Sequence, residues 1–217
     1  MRHDHVHPPI RRLLAGLRAL GQGLLGVALI ALAALAFAPG AHAAESITLE
    51  NQTFPASATV AGAPLQLNGV GLRAAFIYKV YLAGLYLPAK AATGPAVFAE
   101  TGAKRLQVRM LMDGPSDEFA KAFTGGIAKR TPADQVAAMR DRIAQFDRTL
   151  RSVGNVRKGD VVNLDYVPAA GLSMTVNGKP FGTPVPGADL YAALLQIFVG
   201  DRPVDARMKA GMLGLAG

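Results

Sequence analysis

The sequence contains no cysteine and no tryptophan, and its four histidines, His3, His5, His7 and His42, all lie within the first 43 residues. From residue 44 onward the chain therefore offers neither an imidazole nor a thiol. That excludes a Ser-His-Asp triad, a thiol nucleophile, an imidazole general base and a zinc site built from the usual His and Cys ligands. No disulfide helps to hold the fold, and a stretch of about 174 residues buries enough apolar surface to do without one. Runs of like charge are also missing. Basic and acidic residues interleave, as in Arg140-Asp141-Arg142, Asp147-Arg148 and Arg157-Lys158-Gly159-Asp160, which suits a solvated surface and not a nucleic-acid partner.

The one long apolar run is at the start. Arg11, Arg12 and Arg18 lead into Leu24 to Ala38, and Ala41-His42-Ala43 closes the segment with small residues. This pattern is that of a secretory signal cleaved after Ala43. The alternative is an uncleaved anchor, but a spanning helix needs about 20 apolar residues and the strong core runs straight into Pro39-Gly40. The expectation is a signal peptide over 1–43 and a single domain over 44–217, periplasmic or secreted, with no membrane span after cleavage. Four arginines and one aspartate leave with the signal, out of 23 basic and 15 acidic residues, so the remainder carries a net charge of +5.

Ser46 to Leu87 reads as β-structure, with short Val-, Ile-, Leu-, Thr- and Tyr-rich runs punctuated by Asn51-Gln52, Pro55, Ala61-Gly62 and Asn68-Gly69. Leu72 to Leu82 is apolar on both faces, as a strand covered on both sides should be. Lys104 to Met112 alternates Leu106, Val108, Met110 and Met112 against Gln107 and Arg109. A helix begins near Ser116 and is expected to stop at Gly125-Gly126. A second helix is expected after Thr131 as cap and Pro132 in the first turn, with Val136, Met139, Ile143, Phe146 and Leu150 on one stripe. Val161 to Val167 and Leu172 to Val176 read as a hairpin, and Ala188 to Val199 and Val204 to Leu213 as closing helices. The order predicts an α+β domain in which helices cover one side of a largely antiparallel sheet.

Two apparent motifs carry little chemistry. Asp113-Gly114-Pro115-Ser116-Asp117-Glu118 groups three carboxylates, but such a cluster between strand and helix reads as a cap and not as a metal loop. Gly69-Val70-Gly71 is followed by no helix, so it is a turn or bulge and no dinucleotide fingerprint. Neither a metal nor a cofactor is expected.

Polar residues inside apolar strands say more, because burying an unpaired charge is expensive. Counted along one regular strand, Arg73, Lys79 and Tyr81 share a face. Two cations and a phenol together suit an anionic head group such as a carboxylate. The plainer alternative is that Arg73 pairs with an acid of the domain, Lys79 reaches solvent and Tyr81 packs across strands.

The stretch Leu67-Asn68-Gly69-Val70-Gly71-Leu72-Arg73, with Lys79-Val80-Tyr81-Leu82-Ala83-Gly84-Leu85-Tyr86-Leu87, resembles the signature of chalcone isomerase-like proteins, in particular their exported bacterial branch. The Leu-Ser-Met-Thr-Val run and Leu195-Gln196-Ile197-Phe198-Val199-Gly200-Asp201-Arg202-Pro203-Val204-Asp205 are similar to that family's closing hairpin and helices. The resemblance implies an open-faced β-sandwich, a large antiparallel sheet under a layer of helices with a ligand cleft between them. It also implies, in the plant enzymes, a cofactor-free ring closure organised by a strand Arg, a strand Thr, and a helical Tyr and Asn. Here Arg73 matches the arginine, Tyr81 stands at the threonine, Phe119 at the tyrosine and Gly126 at the asparagine. Ser116 to Lys129 contains no Tyr or Asn at all. In the family's fatty-acid-binding branch an Arg and a Tyr hold the carboxylate, and Arg73 and Tyr81 match that pair.

The leading expectation is an exported, non-catalytic protein that binds a fatty acid or similar amphiphile. Arg73, Lys79 and Tyr81 would meet its head group, and Phe119 and Phe123, with Phe76 and Phe146, would line its tail. The alternatives are an isomerase or lyase of the same fold on another substrate, and an envelope protein that binds a partner and has no ligand.

Overall fold

The computed structural model describes residues 45–215, so the segment read as a signal lies outside the described residues. In chain order the first elements are β1 (Ile47–Leu49), β2 (Gln52–Phe54), β3 (Ser57–Val60), β4 (Ala63–Ala75), β5 (Tyr78–Leu87), α1 (Gly94–Ala99), β6 (Lys104–Met110) and β7 (Gly114–Pro115). They are followed by α2 (Ser116–Arg130), α3 (Ala133–Ala138), α4 (Arg140–Arg151), β8 (Asn155–Val156), β9 (Val161–Val167), β10 (Gly171–Val176), β11 (Lys179–Val185), α5 (Ala188–Val199) and α6 (Ala206–Met212).

Period-two alternation decides what each face of the sheet meets. Along β5, Ala83, Leu85 and Leu87 enter one core, while Leu82 and Tyr86 enter a second core on the opposite face. Along β6, Leu106, Val108 and Met110 join the first core, and Arg105 and Gln107 on the other face bond across to Asp165 and Asn163 of β9. Seven strands make one antiparallel sheet in the order β11-β10-β9-β6-β5-β4-β3. The helical block α2–α4 is inserted between the neighbouring strands β6 and β9, and it packs with α5 over the first core. Phe54, at the end of the small β1–β2 hairpin, belongs to the second core. This is the expected α+β architecture, and Ala44–Gly217 forms a compact unit by itself.

Helix α6 crosses β4 without intervening side chains. A Cβ at Gly69 would strike the carbonyl of Gly211, one at Gly71 the carbonyl of Met208, and one at Gly211 the carbonyl of Val70. The glycines of Gly69-Val70-Gly71 are thus there for close backbone approach, within a strand and not at a turn. Beside them the β4–β5 register slips between Leu67 and Gly69. The intervening Asn68 is 4% exposed. Its Nδ2 donates to the carbonyls of Ala91 (2.9 Å) and Met212 (2.8 Å), and its Oδ1 accepts from the Ala91 N–H (2.7 Å).

Several elements differ from the sequence expectation. Leu72 to Leu82 is not one strand: β4 ends at Ala75, the chain turns at Phe76-Ile77, and β5 begins at Tyr78. Helix α2 continues through Gly125-Gly126, because Gly126 faces α5, where a Cβ would lie 2.7 Å from Ile197 Cδ1. The expected second helix is divided at Met139 (φ −101°, ψ 1°) into α3 and α4, which keeps Val136, Met139, Ile143, Phe146 and Leu150 all against the first core. Thr131 does not cap α3; its N–H closes α2 on the Ile127 carbonyl, at 2.9 Å, and its hydroxyl is buried without a partner.

Candidate ligand cleft

The first core does not close completely. Between the sheet and the helices lies a cleft of about 620 Å³, inside the range of roughly 300–1,000 Å³ typical of small-molecule sites. Protein interiors leave few voids larger than a water molecule, so a space of this size is a feature to be explained. Its sheet wall is built from Val108 and Met110 of β6, Val162 and Leu164 of β9, and Met174 and Val176 of β10. The helix wall presents Phe119 and Phe123 of α2, Phe146 and Leu150 of α4, and Leu194, Ile197 and Phe198 of α5. Phe123 and Phe146 meet edge to face with ring centroids 5.1 Å apart, a favoured aromatic geometry.

The polar part of the cleft is formed by the β4–β5 hairpin. Arg73 and Tyr81 are direct cross-strand partners, and both line the cleft. The register slips again just beyond them, Ala74 pairing with Lys79, so Val80 is the extra residue of a bulge. As a result the consecutive residues Val80 and Tyr81 both face the cleft. Lys79 is sent elsewhere: it is exposed, and its Nζ lies 2.7 Å from Glu50. The expectation that Lys79 shares the face of Arg73 and Tyr81 is thereby corrected, because it counted along a single strand where the chain turns and bulges. Phe76 is corrected too, since it stands at the tip of the hairpin, wholly exposed, and lines nothing.

Arg73 pairs with Asp205 at 3.6 Å, its side chain 26% exposed. Asp205 is itself the N-cap of α6, accepting from the N–H groups of Arg207 (2.9 Å) and Met208 (3.0 Å). The plainer alternative for Arg73, an acid of the domain, is therefore present. It does not exhaust the guanidinium, which has five N–H donors. Among the described residues its hydrogen bond goes from Nη1 to the Ala74 carbonyl, leaving Nε and Nη2 uncommitted. Burial pushes the Tyr81 phenol up to about 12, with Arg73 pulling it down and Asp205 raising it. Tyr81 is thus a neutral hydrogen-bond donor in the physiological range. Lys121, Lys129 and Arg130 of α2 add positive charge to the cleft lining against the single carboxylate of Glu118. No cluster of His, Cys, Asp or Glu able to hold a metal occurs among the described residues.

Phe119 and Gly126, which the sequence resemblance sets at the tyrosine and asparagine of the ring-closing enzymes, both line the cleft. Phe119 lacks the hydroxyl, and a side chain at Gly126 would have to displace the Ile197 side chain packed against it. Sequence reasoning named Arg73, Tyr81, Phe119, Phe123 and Phe146, all of which line the cleft. It missed Asp205 as the partner of Arg73, although Asp before a helical run is an N-cap signal, and it missed the basic residues of α2, whose i, i+8 and i+9 spacing gives no sign of a cleft.

A family model described as chalcone isomerase-like matches residues 46–214. No curated protein matches the chain. Among solved structures, a fatty-acid binding protein of Arabidopsis thaliana superposes with a TM-score of 0.59 at 16% sequence identity, covering 78% of this chain and 96% of that one. At that identity the likeness is one of fold.

Proposed function

The chain belongs to the chalcone isomerase-like family, and on that premise we propose that it is an exported, non-catalytic member of the family's bacterial branch that holds a fatty acid or similar apolar carboxylate between sheet and helices. One observation carries the reading: a cleft of about 620 Å³, walled mostly by apolar side chains from sheet and helices, has Arg73 and Tyr81 side by side in its lining. The guanidinium supplies charge and forked donors to a carboxylate, and the phenol supplies a further hydrogen bond. The plant neighbour is a fatty-acid binding protein, a ligand class in keeping with such a cleft. Phe119 and Gly126 support binding without turnover. Export rests on the basic, apolar and small-residue succession over 1–43.

Native mass spectrometry of the processed protein, followed by denaturing extraction, tests the reading directly. A co-purified fatty acid is the expected result, and Arg73→Leu should weaken its binding roughly 10- to 100-fold, the loss of one charge-assisted contact. A protein that purifies without ligand, and whose melting temperature no amphiphile shifts, overturns it.

A further inference from the structure

The tip of the β4–β5 hairpin carries three consecutive large apolar residues in solvent: Phe76 at 103%, Ile77 at 87% and Tyr78 at 62% exposure. Scattered exposed apolar residues need no explanation, but a contiguous group does. The backbone makes the choice stranger. Ala75 pairs with Tyr78 across a two-residue loop, a connection that favours Asn-Gly or Asp-Gly, yet Phe76 occupies it at φ +54°. A bulky residue at positive φ is a true outlier, and strain of this kind persists where it serves a purpose. Phe and Ile here satisfy neither the turn nor the solvent.

The position of the tip is informative. Ala75 and Val80, on either side of it, line the cleft together with Arg73 and Tyr81. The Leu111 N–H donates to the Val80 carbonyl at 3.0 Å, which brings the exposed Met112 to the same end of the sheet. Lys79 follows the tip, with its ammonium held by Glu50 at 2.7 Å. Lys121, Lys129 and Arg130 line the same cleft.

We propose that the Phe76-Ile77-Tyr78 tip inserts into the interfacial region of an anionic lipid bilayer and brings the cleft to the surface from which its ligand is drawn. The inference rests on the cleft reading, since an amphiphile with a long apolar tail resides in membranes. Aromatic rings on a protruding turn suit the level of the head groups, entering the interface while the basic residues of the cleft lining, Lys129 and Arg130 among them, face the anionic surface. A folded partner is a poorer match. Aromatic side chains cover roughly 150–250 Å² each, so three side chains on a protruding turn fall short of the roughly 800 Å² per partner of a standard protein interface. A soft bilayer accepts a narrow protrusion.

The test uses the processed protein, residues 44–217, and Phe76→Asn/Ile77→Gly, which puts favoured turn residues in place of the tip and should fold at least as stably. Flotation with vesicles of phosphatidylglycerol and phosphatidylcholine should carry the wild type upward. The double variant should partition at least ~10-fold less, and pure phosphatidylcholine should hold the wild type more weakly. Binding of a monomeric fluorescent fatty acid, measured without vesicles, should be equal in the two proteins. A wild type that stays in the aqueous fraction with both vesicle types overturns the proposal, as does a variant that floats like the wild type. So does a tip-dependent dimer seen by sedimentation velocity without lipid. Failure of both proteins to bind the soluble fatty acid would instead count against the cleft reading, and flotation would still decide the role of the tip.

Discussion

At the scale of single residues, the cleft depends on Tyr81 keeping its proton beside the Arg73 guanidinium. With the phenol held to about 12, first by its own burial, Tyr81 donates a hydrogen bond and does not accept a proton at neutral pH. Tyr81→Phe should therefore weaken binding of a soluble medium-chain acid roughly 3- to 10-fold, the value of one hydrogen bond, in a fluorescence displacement titration. The same titration across pH should be flat from about pH 6 to 9. It should weaken below about pH 5 as the ligand carboxylate, with an ordinary pKa of about 4 to 5, takes up a proton and loses its attraction to Arg73. A midpoint near pH 7 would point to another charged group. Arg73 and Tyr81 were legible in the sequence as polar residues in an apolar run, but the reason for their meeting was not. The turn between them is made by Phe76-Ile77, which carries none of the Gly, Asn or Asp that announces a hairpin, so counting along one strand placed the pair correctly and Lys79 wrongly.

At the scale of elements, the crossing of α6 over β4 leaves no room for a side chain between the two backbones. Gly71→Ala would drive a methyl into the Met208 carbonyl, a backbone atom with no rotamer by which to yield. The expected loss is about 1–3 kcal/mol, or a fall in melting temperature of roughly 2–10 °C for a domain of this size, measured by thermal denaturation. Strands with clean alternation, such as β6 and the β9–β10 hairpin, could be read directly because one face of each is core. The edge strand β11 was hidden by Pro180, Gly182 and Pro184, residues that argue against a strand except at an edge, where unpaired N–H positions tolerate them. The division at Met139 left no mark either, since the apolar stripe runs unbroken across it.

For the whole molecule, the two cores on opposite faces of one sheet bury tyrosines whose ionisation opposes the folded state. Tyr81 and Tyr86 are held up to about 12 and Tyr191 is raised as well, burial being the largest cause in each. An unfolded chain ionises tyrosine near 10. Between roughly pH 10 and 12 the unfolded state thus binds fewer protons than the folded one, and stability declines as pH rises; below pH 10 this contribution is complete. Melting temperatures from pH 9 to 11.5 should trace that decline. Tyr86→Phe should flatten it, because the Tyr86 hydroxyl is buried without a hydrogen-bond partner. The overall architecture was legible from the order of strand and helix patterns. The cleft was expected only through the family resemblance and not from the residue pattern, because a void between layers is a property of how far they stand apart, and periodicity says nothing about spacing.

The glycine seam also divides the molecule by its tolerance to substitution. Gly69, Gly71 and Gly211 meet backbone to backbone, so few substitutions there are neutral, whereas Phe119 and Leu150 touch the cleft through side chains alone. In this chain, then, side chains on the cleft wall can be exchanged without disturbing the seam, and the frame that sets Asp205 beside Arg73 is independent of what lines the cleft.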